Sequence, residues 1–423
     1  MFKAIELRNF RSFEHITLDL TARGKIVDHA LLYGENGSGK TNLAEAVSIL
    51  RRSMEAHPGT EGLRRTVLAA RAAGSEGPTV LRYEFTVDGR DAEYEIRYGE
   101  DGVLSMERLA YLLKDRIGRY FEIVREPEGV TEDDELSGIE IKVGRDLIPD
   151  GTYRRRVLRE VRDSWGDHTL LSILCRDYGC LGDSMDTAVR PEMRRIVDTI
   201  RGVCVYSPRR GVSTDVTEGF DLVSGCIPSE DSRVLDAYSE AVSKFLSRLC
   251  TDIRGTHYAV SESDGILEYT LMVERRMNGE YRSIPAEDES TGVLKLVSML
   301  PYLLECVRGG TAVLDEADSG IHEMMFRDLL MDVIGTEGRG QLIVTTHCIP
   351  LIQEIEPSSV FILRLSSLAD KEISSIASIC RTQKGHNNSM RYRDGLFDGV
   401  PYTGNVFIEC IAEDLYEGLG AGR

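Results

Sequence analysis

The sequence predicts an α/β fold with a mixed, largely parallel sheet, an N-terminal antiparallel subdomain and an inserted helical arm. The apolar residues 29–33 read as a strand that leads into a glycine-rich loop and an amphipathic helix. Residues 79–87 and 92–98 read as a hairpin with Asp88 and Gly89 at its turn. The last third alternates helix and strand, which is typical of a parallel sheet with crossover helices, over residues 291–306, 311–314, 321–334, 341–345, 347–355 and 360–364.

Weaker patterns fill the rest of the chain. Further strand patterns cover residues 3–7, 16–20, 120–124, 138–143, 256–261 and 266–274, and a further helix pattern covers 234–249. An acidic loop at 132–135 and Arg-rich helix patterns interrupt the middle of the chain. We therefore predict an N-terminal half at residues 1–104, an inserted β/helical arm at 105–205 and a C-terminal half at 206–423.

The composition is that of a soluble protein, with 42% hydrophobic and 29% charged residues. No apolar run is long enough to cross a membrane and no signal-peptide pattern opens the chain, so we expect a cytoplasmic protein without membrane contact. The net charge of -19 argues against a surface that coats DNA everywhere. A local DNA-binding patch stays open, although acids interleave with its arginines, which are Arg154, Arg155, Arg156, Arg159 and Arg162.

Residues 34–41 fit the phosphate-loop pattern GxxxxGK[ST]. The glycines let successive backbone N–H groups point at a β-phosphate, the Lys40 ammonium neutralises β- and γ-phosphate charge, and the Thr41 hydroxyl ligates Mg²⁺. The sequence therefore predicts bound ATP and Mg²⁺. The nucleotide-binding residues predicted here are Gly34, Glu35, Asn36, Gly37, Ser38, Gly39, Lys40, Thr41 and Asn42.

A phosphate loop needs a carboxylate at the end of another apolar strand to hold the metal, and Thr311–Leu314 followed by Asp315 supplies it. We expect Asp315 to join Thr41 at the metal and Glu316 to polarise the attacking water as general base. Residues 315–318 also spell the Asp-Glu-Ala-Asp of DEAD-box helicases. That interpretation fails because the distance from Lys40 is too long and the later Ser-Ala-Thr motif is missing.

The order of the remaining motifs resembles ABC ATPases. Ser290 and Gly292 open a helix, where serine caps the N-terminus and exposes its positive end. In ABC ATPases the equivalent segment binds the γ-phosphate held by another protomer, so the resemblance implies a composite site and an ATP-dependent homodimer or higher homo-oligomer. Asp318 begins a segment similar to the D-loop at the dimer interface. His347 resembles the switch histidine that senses the γ-phosphate.

Within that superfamily the chain resembles the RecF/SMC branch. The opening residues 5–13, Ile-Glu-Leu-Arg-Asn-Phe-Arg-Ser-Phe, carry the likeness together with the ATPase motifs. Residues 94–97, 107–109, 289–292, 315–322 and 391–395 further resemble the RloA-like AAA-family ATPases of prokaryotic abortive-infection operons. That likeness implies an antiviral defence role with a separately encoded nuclease or toxin effector.

The chain departs from the ABC pattern at the Q-loop. Its only glutamines are Gln341, Gln353 and Gln383, so none lies between the phosphate loop and Ser290. Another residue must couple the metal and water, and a transporter subunit, which needs that glutamine, is disfavoured. Two functions stay open: an ATP-switched regulator of a separate effector, and a RecF-like DNA-repair ATPase that contacts DNA through residues 154–162.

Overall fold

The structure is a computed structural model. It describes residues 1–55, 67–68, 70–72, 74–113, 116–125, 138–144, 146–166, 168–209, 211–365, 370–381, 386–400 and 406–418. The acidic loop predicted at 132–135 lies outside these residues. Within them the chain forms two large sheets, a smaller third sheet and helices that pack against all three, which confirms the predicted α/β fold class.

A six-stranded sheet carries the phosphate loop. Its first five strands are mutually parallel, and the sixth runs antiparallel at the edge. The strand order across the sheet is Val203–Tyr206, Thr311–Leu314, Gln341–Thr345, His29–Gly34, Val360–Leu365 and Lys371–Ser375. The strand before the phosphate loop and the strand before Asp315 are thus separated by a single strand, so both sites lie at the same edge of the sheet.

Both faces of this sheet are buried. In the strand His29–Gly34, Ala30 and Leu32 face one hydrophobic cluster, and Leu31 and Tyr33 face the other. The helix Lys40–Glu55 packs in the first cluster, where Leu43, Ala44, Val47 and Leu50 are buried on the apolar face of the expected amphipathic helix. Burial of both faces explains why the central positions of these strands read as short continuous hydrophobic runs in the sequence.

A seven-stranded antiparallel sheet covers the other side of the helix Lys40–Glu55. Its order is Ile139–Val143, Arg116–Arg125, Leu104–Leu113, Arg90–Tyr98, Thr79–Val87, Phe2–Phe10 and Phe13–Asp19. The predicted hairpin is present, with Val87 opposite Arg90. Strands from the predicted insertion join the same sheet as the N-terminal strands, so the sheet is continuous across the proposed boundary at residue 104. The division into three segments stays a prediction.

A third, four-stranded sheet precedes the helix that begins at Thr291. The strand Ile266–Met277 pairs with Ile253–Ser263 on one side, and with Ser224–Pro228 and Glu280–Pro285 on the other. A two-residue pair, Thr21–Ala22 with Lys25–Ile26, closes a turn. The α-helices of the described part of the chain are Lys40–Glu55, Gly151–Ser164, Leu170–Leu181, Met185–Ala188, Pro191–Arg201, Ser232–Leu249, Thr291–Val307, Glu323–Gly335, Pro350–Glu354, Ile376–Ile379, Asn388–Arg393 and Ile408–Gly418.

Two local differences from the sequence-based expectation have physical causes. The helix expected over residues 347–355 is shorter and begins at Pro350, because proline is favoured in the first turn and cannot donate further inside. The strand Val203–Tyr206 was not expected, since four residues carry too little pattern to separate a strand from its surroundings. In the described ranges, no helix combines the length and the apolar character needed to cross a bilayer.

The side chain of Gln341 joins the two large sheets. It is fully buried, its Nε2 donates to Phe2 O and Val27 O at 2.9 Å each, and its Oε1 accepts from Phe2 N at 2.7 Å. One amide therefore satisfies three backbone groups that would otherwise be buried without partners.

We expect Gln341→Leu to lower the free energy of unfolding by about 3 kcal/mol, because it strands three buried polar groups. Urea unfolding of the purified chain measures this. Gln353→Leu is the matched control: Gln353 is exposed and holds Asn388 N at 2.8 Å, so its loss should cost less than about 1 kcal/mol. Equal effects of the two substitutions would contradict the proposed joining role of Gln341.

Candidate nucleotide site

The phosphate loop has a backbone that only glycine tolerates at two positions. Gly34 has a φ of +155°, and a Cβ added there would lie 2.5 Å from Leu363 O. Gly39 has a φ of +114°, and its Cβ would lie 2.5 Å from the Phe13 ring. Leu363 on the neighbouring strand and Phe13 at the start of the strand Phe13–Asp19 thus pack closely against the loop and constrain its backbone. Gly37, which lies between these two glycines in the sequence, is also in the left-handed region.

Lys40 is held inside this loop. Its ammonium donates to Gly34 O at 2.7 Å and to Glu35 O at 3.0 Å, and the side chain is almost entirely buried. Burial lowers the pKa of Lys40, and the nearby carboxylates of Glu316, Asp315 and Asp318 oppose that shift. The ammonium is therefore positioned without a direct ion pair to any described residue, as a site for phosphate requires.

Three hydroxyl groups surround the buried carboxylate of Asp315. Thr345 Oγ1 donates to Oδ1 at 2.7 Å, Thr41 Oγ1 lies 3.3 Å from the same oxygen, and Ser207 Oγ donates to Oδ2 at 2.8 Å. Thr41 is thereby placed against Asp315, as the predicted metal pair requires. Their oxygens are hard ligands of the kind that Mg²⁺ prefers.

Glu316 follows Asp315 with a φ of +46°, an uncommon conformation for a residue other than glycine. Its backbone N donates to Thr345 Oγ1 at 2.7 Å, and Lys295 Nζ donates to its carbonyl. The backbone is therefore held from two sides while the side chain is exposed toward the cleft. Such locally strained backbone is concentrated at functional sites.

Asp318 and His347 meet across the mouth of the cleft. Asp318 Oδ2 accepts from the backbone N of His347 at 2.9 Å, and Asp318 Oδ1 is buried without a hydrogen-bond partner in the described part of the chain. Desolvation, and then the charge of Lys40, lowers the pKa of the His347 imidazole. This shift favours the neutral ring, in which one nitrogen can donate to an anionic oxygen while the other accepts.

These groups line one open cleft of about 540 Å³. Its lining residues are Ser12, Asn36, Gly37, Gly39, Lys40, Thr41, Asn42, Glu316, Asp318, Ser319 and His347. Gly34, Glu35 and Ser38 complete the loop behind them, and the Ser38 hydroxyl is buried with no partner among the described residues. An orphaned donor, a glycine-shaped cradle and a buried ammonium together fit a bound phosphate chain.

Ser290 and Gly292 are not among the lining residues of this cleft. Ser290 caps the helix Thr291–Val307, and its Oγ accepts from Val293 N at 3.3 Å. A Cβ added at Gly292 would lie 2.5 Å from Gly320 O, so the first turn of this helix packs directly on the turn after Asp318. The serine-led helix and the D-loop-like turn therefore form one contiguous surface.

Sequence reasoning missed three polar residues at the site. Thr345 and Ser207 hold Asp315, and Ser12 accepts from Asn42 Nδ2 at 2.8 Å at the rim of the cleft. The run of threonines after an apolar strand was a usable signal for Thr345. Ser207 could not be found because the short strand Val203–Tyr206 that precedes it was itself unrecognised.

Comparisons with known proteins find similarity over part of the chain. The DNA replication and repair protein RecF of Rhizobium meliloti (strain 1021) is 40% identical over 100 residues, which is 23% of this chain and 23% of that protein. The protein of the same name from Exiguobacterium sp. (strain ATCC BAA-1283 / AT1b) is 24% identical over 208 residues, covering 46% of this chain and 52% of the relative. The chain thus spans about a quarter (23%) of the length of the first relative and about half (52%) of the second.

The chain resembles the RecF/SMC branch of ABC ATPases. Among solved structures, the Smc head domain with a coiled coil and joint from Pyrococcus yayanosii covers 93% of this chain and 99% of its own, at 11% identity and a TM-score of 0.47. At that level the similarity says nothing about function. No protein-family model matches the chain. The expected resemblance to RecF is confirmed over part of the chain, and the narrower RloA-like assignment stays a prediction.

The contact between Gly292 and Gly320 gives a direct test of this surface. We expect Gly292→Ala to lower the free energy of unfolding by about 1–3 kcal/mol, because a methyl group cannot fit 2.5 Å from a carbonyl oxygen. It should also speed hydrogen exchange of residues 316–321. Gly335→Ala is the matched control, since a Cβ there meets nothing within 4 Å, and it should leave both measurements unchanged. Slow exchange in both variants would show that the close contact is absent.

Proposed function

We propose that this chain is a Mg²⁺-dependent ATPase that switches by nucleotide-dependent dimerisation. The observation that carries the proposal is the convergence of Lys40, Thr41, Asp315, Glu316 and His347 on one cleft, although 275 residues separate Lys40 from Asp315 in the sequence. Lone acidic or histidine residues at strand ends have ordinary structural roles. Their meeting at a phosphate loop supports a role in phosphoryl transfer to water.

In the proposed reaction the loop N–H groups and Lys40 hold the β- and γ-phosphates. Glu316 orients and accepts a proton from a water, whose oxygen attacks the γ-phosphorus while the bond to the β,γ-bridging oxygen breaks, which gives ADP and inorganic phosphate. The neutral His347 donates a hydrogen bond to a γ-phosphate oxygen. Bound Mg²⁺ would neutralise phosphate charge, and Thr41 and Asp315 are the residues that would hold it.

Ser207 is our proposal for the residue that replaces the missing Q-loop glutamine. It follows a strand next to the one that ends at Asp315, and its hydroxyl reaches Asp315 Oδ2 at 2.8 Å. A hydroxyl is shorter than a carboxamide. It can orient Asp315 but extends less far toward an attacking water, which favours slow turnover.

The position of Ser290 and Gly292 supports a composite arrangement. Their helix N-terminus is a suitable anion site, but neither residue lines the cleft of its own chain. We propose that it caps the γ-phosphate bound by a second copy. The exposed Ser319, in the D-loop-like turn after Asp318, would then lie at the interface.

We expect Lys40→Ala to abolish ATP binding, because it removes the buried ammonium, and Glu316→Gln to bind ATP and accumulate as a dimer, because hydrolysis no longer reopens it. Size-exclusion chromatography with light scattering, with ATP and Mg²⁺ and again after chelation by EDTA, measures this. Ser290→Arg in the Glu316→Gln background is the control. It should keep ATP binding and lose the dimer. A monomeric Glu316→Gln chain in saturating ATP would contradict the composite site.

The biological role proposed first is regulation of a separately encoded nuclease or toxin in antiviral defence. Its support is the sequence resemblance to RloA-like ATPases. ATP would close the dimer, and the closed dimer would either hold the effector or release it. A trigger would then shift the equilibrium between the closed and open dimer. Co-purification with the products of neighbouring genes tests this role.

The second candidate is a DNA-repair ATPase, which the partial RecF identity favours. Arg155, Arg159 and Arg162 are exposed on the helix Gly151–Ser164, whereas Arg156 pairs with Asp177. Arg154 is also engaged within the chain, since it donates to Val143 O and Gly144 O. We therefore propose only Arg155, Arg159 and Arg162 for contact with DNA phosphates.

For the DNA candidate, we expect Arg155→Ala, Arg159→Ala and Arg162→Ala together to weaken duplex binding about tenfold or more at low salt, and to reduce its salt dependence. Fluorescence anisotropy at several salt concentrations measures both. The control changes three other exposed arginines, Arg233, Arg282 and Arg308, to alanine, which alters net charge equally. Equal affinity of the two triple variants would exclude this helix as the DNA contact.

A further inference from the structure

Lys371 lies beside the phosphate loop but is absent from every motif discussed above. It begins the edge strand Lys371–Ser375, which is antiparallel to Val360–Leu365 and lies next to the strand Phe13–Asp19. The side chain reaches over the loop. Its Nζ donates to Gly37 O at 2.9 Å and to Ser12 Oγ at 2.7 Å, and Nζ lies 5.7 Å from the centre of the Phe13 ring.

Both hydrogen-bond partners of this ammonium belong to the cleft. Gly37 and Ser12 line it, and Ser12 also accepts from Asn42, the residue that follows Thr41. Lys371 is thus joined through Ser12 to the first turn of the helix that begins at Lys40. A strand that begins 334 positions after Gly37 thereby supplies a cation to the rim of the phosphate loop.

The charge of Lys371 is not balanced by its surroundings. Among the described residues no carboxylate lies within 4 Å of Nζ, and both acceptors are neutral. Burial lowers the pKa of Lys371, which is the signature of a cation that has lost water without gaining a counter-ion. An ammonium has three N–H donors, and two are occupied, so one remains for a ligand.

We propose that Lys371 is a second phosphate-binding cation of the nucleotide site. This rests on the proposed ATP binding. Lys40 holds the phosphate chain from inside the loop, and Lys371 contacts it from the rim, next to Ser12. The alternative is that Lys371 only fixes the turn at Ser12 against the loop. A structural lysine of that kind would affect stability without a salt-dependent effect on nucleotide affinity.

The test compares the dissociation constant for Mg·ATP of wild type, Lys371→Ala, Lys371→Arg and Lys142→Ala, by fluorescence titration. Lys142→Ala removes the same charge from a half-exposed lysine that pairs with Glu140. Lys142 lies on the strand Ile139–Val143, which is at the opposite edge of the seven-stranded sheet from the strand Phe13–Asp19. We expect Lys371→Ala to bind about tenfold more weakly, since a charge-assisted hydrogen bond is lost. Lys371→Arg should remain within about threefold of wild type, because the charge is kept, and Lys142→Ala should equal wild type.

Salt separates the binding role from the structural one. The difference between wild type and Lys371→Ala should shrink several-fold as salt rises from about 50 mM to about 500 mM, because screening weakens the contact of a partly exposed ammonium. An affinity for Lys371→Ala equal to wild type, or a loss of the same size at both salt concentrations, would overturn the inference while leaving ATP binding intact. A wild-type chain that binds no Mg·ATP, like Lys40→Ala, would overturn the proposed function itself.

Discussion

The buried carboxylate of Asp315 is the constraint on which the rest of the site depends. It is completely shielded from solvent, so its charge must be met by donors inside the protein. The three hydroxyls that meet it come from three elements: the phosphate-loop helix, the strand on one side of Thr311–Leu314 and the strand on the other. The parallel strand order delivers them, because the carboxyl ends of neighbouring strands share one edge. The site is therefore a consequence of sheet topology as much as of the motifs.

The same constraint links Glu316, the proposed general base, to the surface that we propose for contact with a second copy. Thr345 Oγ1 bridges Asp315 and the backbone of Glu316, and Lys295, from the serine-led helix, holds the Glu316 carbonyl. Gly292 of that helix packs against the turn that contains Gly320. An anion bound at Ser290 would contact the N-terminus of a helix that also contacts the backbone of Glu316 and the D-loop-like turn. In the proposed dimer, these contacts alone would connect the anion site at Ser290 of one copy with the nucleotide cleft of the same copy.

The sequence was sufficient where structure follows from local pattern. The strands Thr311–Leu314 and Gln341–Thr345 match their predicted limits because short apolar runs between polar turns have few alternatives. Leu104–Leu113 escaped notice because Glu107 interrupts its pattern. In the fold that carboxylate is buried and accepts from Trp165 Nε1 and the backbone N of Leu170 and Leu171, all from outside the strand. A polar residue satisfied by distant donors looks like a surface residue until the fold is known.

Some residues of the candidate site could likewise be predicted from local sequence patterns, and others could not. Its motif residues could be named from spacing, since glycine loops and acidic strand ends have local chemical requirements. The spacing could not identify Ser207, Ser12 and Lys371, because each contacts a partner at least 30 positions away in the sequence. Their contribution is electrostatic as well as geometric. A protein of net charge -19 repels a polyanionic nucleotide at long range, but that field is screened beyond roughly 10 Å at ordinary ionic strength. In the proposed nucleotide complex the charges at the loop itself therefore matter most: the buried Lys40 and, at the rim, the Lys371 ammonium, which has no carboxylate within 4 Å among the described residues.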